Sequence, residues 1–483
     1  MAKQIVQERM LIGGEWIDKE EAIDVTDPGT GELIATVPSA TVEDVKKTIS
    51  LARQGAAECA KLPIHERMSI LHKVASYIEE NKDVFVRTIV MESSKTIREA
   101  RKEVLRCIET LRLSAEEARR IDGETIPFSQ MPGHESRVGY VYRFPVGIVA
   151  AITPFNDPLN LVAHKVGPAI AAGNAVIVKP ASLTPLSALR LAEAFLKAGL
   201  PANILSVITG HGSIICDPLV EHDDVRFVSF TGGYETGKRI TEKVGVKKTG
   251  MELGSNSPTI VLEDANVKEA VSATVSGAFG VAGQNCIGVQ RIFVEKPLYK
   301  RFLKEFVEET KKLKVGLKTN ETTDIGPMIS EKEARRVESW IDEVKSAGGT
   351  ICFGGKRTKA YVEPTVLTNV PANTTIANEE VFGPVVIIES VNSLQHAIER
   401  SNNSNYGLQA GIFTEKLETA FQAIHELQFG GVMINDSSDV RIDGMPFGGI
   451  KGSGIGREGV RYAIEAMTEQ KVVAFKLQNS PFF

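Results

Sequence analysis

One cysteine has the surroundings of a reactive group. In GVAGQNCIGVQR, residues 280–291, Cys286 follows a helix-like stretch and sits between polar and small residues. Most cysteines are small buried hydrophobes, and that is the default reading here too. A thiolate, by contrast, attacks electrophilic carbon once its surroundings lower or bypass a thiol pKa of about 8.5. Three further polar features recur at one kind of place. Asn156, Lys179 and the pair Gly232 and Gly233 each follow a run of apolar, β-branched residues. In open parallel sheets, ligands bind at the carboxyl ends of the strands. Gly232 and Gly233 also open a helix-like stretch whose unpaired N–H groups suit a diphosphate. These loops therefore predict a nucleotide site, although GGYETG is not the GxGxxG fingerprint and alone reads as a plain glycine turn.

Strands and helices must hold those residues. In TVEDVKKTISLARQG, Thr41 and Asp44 form a capping-box pattern, Val42, Val45, Ile49 and Ala52 share a face, and Gly55 fits a helix end. VGIVAAITPFN, residues 146–156, reads as a buried strand running into a loop with proline, and NAVIVKPAS, residues 174–182, repeats the arrangement. Residues 185–198 read as a helix that Gly199 and Pro201 stop. A third strand is expected at 225–230 and a fourth within 257–266. The alternation predicts an α/β protein with largely parallel sheets. Two segments differ. HESRVGYVYRFP, residues 134–145, alternates like an antiparallel strand, and KVVAFKL, residues 471–477, is a terminal strand with little chain left to cover its edge. Such edges invite pairing with another subunit, so a homo-oligomer, dimer or tetramer, is expected through the C-terminal strand.

Composition narrows the classes. At 483 residues the chain has room for roughly two to four domains. A net charge of −5 without a Lys/Arg block argues against nucleic acid. The N-terminus carries charges where a signal peptide needs an apolar core. The longest weakly polar stretch, residues 166–178, is broken by Gly, Pro and Asn and falls short of the ~20 residues a bilayer takes. Five dispersed cysteines without CxxC fit a reducing compartment. A cytoplasmic protein without membrane partners is expected. The eight histidines are scattered, so no metal site is expected.

Read in order, TPFN, KPAS, FTGGYETG, MELGS, GQNC, EEVFGP and MPFGGIKGSGIGREG make a series over nearly the whole chain. This series resembles the aldehyde dehydrogenase superfamily. Within it the chain looks nearest to the branch with lactaldehyde, non-phosphorylating glyceraldehyde-3-phosphate and phosphonoacetaldehyde dehydrogenases, and residues 435–471 resemble the lactaldehyde type in particular. The resemblance implies a Rossmann-like NAD(P)-binding domain (1–121 and 146–253), an α/β catalytic domain (254–449), and a β-strand oligomerisation arm with a C-terminal tail (122–145 and 450–483). It implies Cys286 as the nucleophile, forming a thiohemiacetal and then a thioester. Asn156 and the Cys286 N–H become oxyanion donors, and Glu252, by itself readable as a solvated charge at a strand start, becomes the base that activates water. Ile152, Thr153, Pro154, Phe155, Leu253, Lys179, Ser182, Gly232, Gly233, Glu380 and Phe382 fall at cofactor positions. Ser182 stands where many NAD-preferring relatives have Glu, so both NAD and NADP remain open.

The expected reaction is oxidation of a small hydroxylated or anionic aldehyde to the free acid. Candidates are lactaldehyde, sulfolactaldehyde, glyceraldehyde 3-phosphate, phosphonoacetaldehyde and succinate semialdehyde. Arg106 and Arg441 are the expected anion contacts, with ion-paired structural roles as the alternative. Asp157 would oppose an anion unless one of these arginines pairs with it. Arg291 begins the strand after Cys286 and is expected to be structural. Three rivals remain: a CoA-acylating dehydrogenase, which Glu252 argues against; a non-catalytic protein retaining the fold; and a thiol hydrolase, which would need a histidine beside Cys286.

Overall fold

The computed structural model describes residues 6–478. The first expected helix is α1 (Val42–Cys59), with the Thr41–Asp44 capping box formed in both directions. It does not stop at Gly55. A Cβ there would lie 2.0 Å from the Asn203 carbonyl oxygen, so close packing, not chain termination, requires the glycine. A second capping box, Thr96 with Glu99, starts α2 (Ile97–Ala118). Among the described residues no helix is long and apolar enough to cross a membrane.

Beyond β1 (Arg137–Pro145) comes the parallel core of an eight-stranded sheet: β2 (Ile148–Ile152), β3 (Ala175–Lys179), β4 (Leu205–Val207), β5 (Val225–Thr231) and β6 (Lys248–Glu252). Their spatial order is β6–β5–β2–β3–β4. The helices α3 (Asn160–Ala171), α4 (Gly212–Glu221) and α5 (Tyr234–Lys243) fall between these strands in the chain. Along β2, Val149 and Ala151 belong to one buried cluster, while Ile148, Ala150 and Ile152 belong to another. Successive side chains alternate between faces, and here both faces are covered, so the strand is apolar throughout.

Two of these strands lie outside the sequence expectation. β4 spans only three residues. β6 begins KTG, polar and glycine-containing, a weak strand pattern. It forms because β5 pairs with it in parallel and Gly454–Ile455 pairs with its other edge. That last contact also separates the expected tail. Gly454–Ile455 joins the eight-stranded sheet, and the helix Val460–Ala466 packs on α2 and α3.

A seven-stranded sheet is built around β7 (Pro258–Val261), β8 (Arg291–Glu295), β9 (Val385–Val391) and β10 (Gln409–Phe413), in the order β9–β8–β7–β10. The helix α6 (Val267–Phe279) leads from β7 towards Cys286. The third sheet pairs β1 with Glu124–Ile126 on one side and with β11 (Thr468–Lys476) on the other. The alternating segment and the terminal strand are thus antiparallel partners over nine residue pairs.

Candidate active site

Strand register makes the expected loops converge. Thr231 lies opposite Glu252, Phe230 opposite Ile152, and Ile152 opposite Lys179. Four neighbouring parallel strands therefore end level, and Asn156, Lys179, Gly232 and Glu252 leave from one rim. Facing them is a cleft of about 580 Å³, lined by Asn156, Asp157, Arg106, Cys286, Arg441 and Phe447 among others. No histidine is among the described residues lining it, which leaves a cysteine–histidine hydrolase without its base.

Cys286 is half-buried. It follows a turn in which Val281 and Ala282 have φ of +50° and +53°, left-handed values that a β-branched residue rarely adopts. The Val281 N–H donates to Glu99 Oε1 at 2.8 Å, so α2 holds the turn from outside. The Val281 carbonyl accepts from the Gln284 N–H at 3.1 Å, and the Gln284 carbonyl accepts from Asn156 Nδ2 at 3.0 Å. One amide hydrogen of Asn156 is thereby spent on orientation and its second stays free. The Cys286 N–H donates to no group among the described residues. Burial pushes the Cys286 thiol up to about 12; Arg441 opposes this, while Glu380, Glu252 and Glu458 add to it.

Glu252 ends β6 rather than beginning a strand, and it is 3% exposed, not solvated. Neither carboxyl oxygen has a hydrogen-bond partner. Burial, aided by Glu458, holds its pKa well above the ordinary carboxylate value. Glu458 goes the other way. Burial opposes its ionisation, but Lys165 at 2.7 Å and Arg441 at 3.3 Å outweigh that. Two close carboxylates thus divide one charge, which Glu458 keeps.

The arginines differ. Arg106 has a side chain 34% exposed and bonds Asp443 through Nε and Nη2, and Asp157 through Nη1 at 3.3 Å. Asp157 also pairs with Lys95, so its charge is compensated twice. Arg441 has a 9% exposed side chain, and its guanidinium lies 3.8 Å from the centroid of the Phe447 ring. Its Nε is buried without a partner. Arg291 is structural as expected, donating to the carbonyls of Asn256, Arg400 and Ser401.

The remaining positions surround a second region along the same rim. Lys179 is 6% exposed, its ammonium makes no hydrogen bond or ion pair among the described residues, and burial lowers its pKa. The Ser182 hydroxyl donates to the Gly210 carbonyl at 2.9 Å. Gly233 is the N-cap of α5, with nothing within 4 Å of where its Cβ would stand. Leu253 packs on Gly237 of α5, where a Cβ would meet its Cδ2 at 2.3 Å. The rings of Phe155 and Phe382 meet edge to face, 5.6 Å between centroids. Glu380 accepts from the Ser255 N–H at 2.9 Å, and burial raises it to about 7. Ile152 and Thr153 are buried beside this rim, and Pro154 follows them towards Phe155. An unpaired buried ammonium and an open helix N-terminus suit the ribose hydroxyls and diphosphate of a dinucleotide.

Sequence reasoning missed Lys95, Glu99, Lys165, Asp439, Asp443 and Glu458. The pattern DVRID, with acids on both sides of Arg441, was the available signal for two of them. The others are marked only by partners far away in the chain.

The profile of the aldehyde dehydrogenase family matches residues 16–473. With this fold and cleft, the chain belongs to the aldehyde dehydrogenase family and is an NAD(P)-dependent aldehyde dehydrogenase. It is similar to aspartate-semialdehyde dehydrogenase 1 of Pseudomonas canavaninivorans, 47% identical, covering 95% of this chain and 97% of the relative. It is also similar to 3-sulfolactaldehyde dehydrogenase of Priestia megaterium, 44% identical, covering 98% and 99%. Among solved structures, NADP-dependent glyceraldehyde-3-phosphate dehydrogenase from Bacillus halodurans, complexed with NADP, superposes with a TM-score of 0.96 at 37% identity, covering 98% and 100%.

Proposed function

We propose that this enzyme oxidises a short aldehyde bearing an anionic group to the free acid, and that it accepts NADP. The observation that carries the reading is the common cleft of Cys286, Asn156, Arg106 and Arg441. Three similar proteins are named for short aldehydes carrying a carboxylate, a sulfonate and a phosphate. What these share is an anion a few bonds from the carbonyl, which a guanidinium suits.

Cys286, its thiol proton passed to solvent, forms the C–S bond as the carbonyl electron pair moves onto the oxygen. The free Asn156 amide hydrogen and the Cys286 N–H meet the oxygen as it gains charge. Lys179 and the N-terminus of α5 hold a nicotinamide dinucleotide, which when bound supplies the two-electron acceptor for oxidation to the thioester. The ionised fraction of Glu252, which grows as pH rises, takes a proton from the water that attacks the thioester, and the thiol leaves with its proton restored. This route needs no CoA, so acid formation without CoA separates it from the acylating rival. We further propose that the edge of β11 left unpaired among the described residues, with its exposed Val472 and Phe475, pairs with a second subunit.

The test is reduced-nicotinamide absorbance with NAD and NADP separately, using matched anionic and neutral short aldehydes. A higher kcat/KM for the anionic set supports the reading; a preference for neutral aldehydes rejects it. Arg106→Gln should raise KM for anionic aldehydes about 10- to 100-fold and change neutral ones far less; equal losses on both would assign Arg106 to structure. At the cofactor end, Ser182→Glu places a carboxylate near the ribose. It should shift the kcat/KM ratio of NADP to NAD about 10-fold or more towards NAD through charge repulsion, and an unchanged ratio would remove Ser182 from the cofactor site.

A further inference from the structure

Asp439 lines the same cleft as Cys286 and Arg106, and the anionic-substrate reading gives it nothing to do. One carboxyl oxygen accepts from the side-chain amide of Asn285, the residue before the nucleophile. The other makes no hydrogen bond among the described residues. The remaining acids of the cleft are matched. Asp324 pairs with Arg98, Glu103 and Asp157 pair with Lys95, and Glu99 accepts from the Thr96 and Val281 N–H groups. Asp439 has no ion pair among the described residues, and burial, with Asp436 and Glu99 adding, raises it to about 7 against the Asn285 hydrogen bond and the Arg106 charge. Arg106 gives three of its five N–H groups to Asp443 and Asp157 and none to Asp439, which leaves two for a ligand.

Burial disfavours the charged form of such an acid, and a ligand cation beside it restores that charge. A guanidinium, Arg106, and an acid, Asp439, thus line the same cleft as the nucleophile with no hydrogen bond between them among the described residues. We infer that Asp439 and Arg106 together recognise a zwitterionic substrate, a short aldehyde carrying an ammonium group as well as an anion, of the amino-acid semialdehyde class. The inference rests on the anionic-aldehyde reading and narrows it. The ammonium donates to the free Asp439 oxygen, the anion meets the Arg106 guanidinium, and the aldehyde reaches Cys286 next to Asn285. A substrate bearing both charges gives the free Asp439 oxygen a cation and the remaining Arg106 N–H groups an anion.

The test uses two aldehydes that differ by a single group, 2-amino-4-oxobutanoate and 4-oxobutanoate. The wild-type enzyme is expected to favour the amino compound at least 10-fold in kcat/KM. Asp439→Asn should raise KM for the amino compound at least 10-fold and lower it for 4-oxobutanoate, because the lost carboxylate no longer repels the anion. Opposite movements distinguish recognition from damage, since a misfolded or loosened site would harm both substrates. Wild-type enzyme that oxidises 4-oxobutanoate as well as or better than its amino counterpart overturns the ammonium site and leaves the anionic reading standing. Preference for neutral aldehydes over both compounds overturns the two together.

Discussion

Cys286→Ala is expected to lower aldehyde oxidation by about 10^4-fold or more while cofactor binding persists. The side chain touches a small apolar cluster of Ile287, Leu408 and Phe447, so a methyl group fits and the fold should survive. The lost step is formation of the C–S bond, for which no other cysteine lines the cleft among the described residues. The pH dependence has a definite sign. Burial raises the thiol to about 12, so the neutral form dominates at neutral pH and the thiolate fraction grows about 10-fold per pH unit below that value. Alkylation of Cys286 by iodoacetamide, followed by mass spectrometry without substrate, should accelerate steadily from pH 7 to pH 10. Full alkylation already at pH 6 would overturn the raised thiol pKa, and activity surviving in the alanine variant would remove Cys286 from the chemistry.

Glu252→Gln should leave thioester formation and slow its hydrolysis by about 10^2- to 10^4-fold. The measurement is a rapid-mixing trace of reduced cofactor: a burst of one equivalent per active site, then a slow phase. A uniformly slow trace without a burst would place Glu252 in the first half-reaction instead. The same substitution should stabilise the fold. The raised carboxyl stays protonated when folded, whereas the unfolded chain ionises near 4.5. Its contribution to stability is therefore complete below 4.5 and declines as pH rises, by about 1.4 kcal/mol per unit until the folded carboxyl also ionises. Gln has no such titration. The melting temperature of the variant should exceed that of the wild type by a margin that widens as pH rises above 4.5, and a constant margin would contradict the raised pKa. An acid kept costly by burial and by Glu458 is a site where activity opposes stability.

Most of the frame was legible in the sequence because its signals are local. Strands β2, β3 and β5 announce themselves as apolar runs, and the loops after them carry Asn156, Lys179 and Gly232. Capping at Thr41, the antiparallel segment at β1 and the terminal strand β11 follow from patterns a few residues long. The order of seven motifs pointed to the family, and Ser182 to the open cofactor choice. Other features depended on neighbours that the sequence does not bring together. Glu252 looks like a solvated charge until β5 and Gly454–Ile455 enclose its strand. Gly55 looks like a helix stop until Asn203 arrives against it. Arg106 looks like a free anion contact, yet its charge is shared with Asp443, 337 residues away. Periodicity and capping act over a few bonds and are written in the chain itself. Burial, pairing and pKa depend on which distant groups the fold brings within a few ångströms, so only the tertiary structure decided which carboxylate keeps its charge and which waits for a partner.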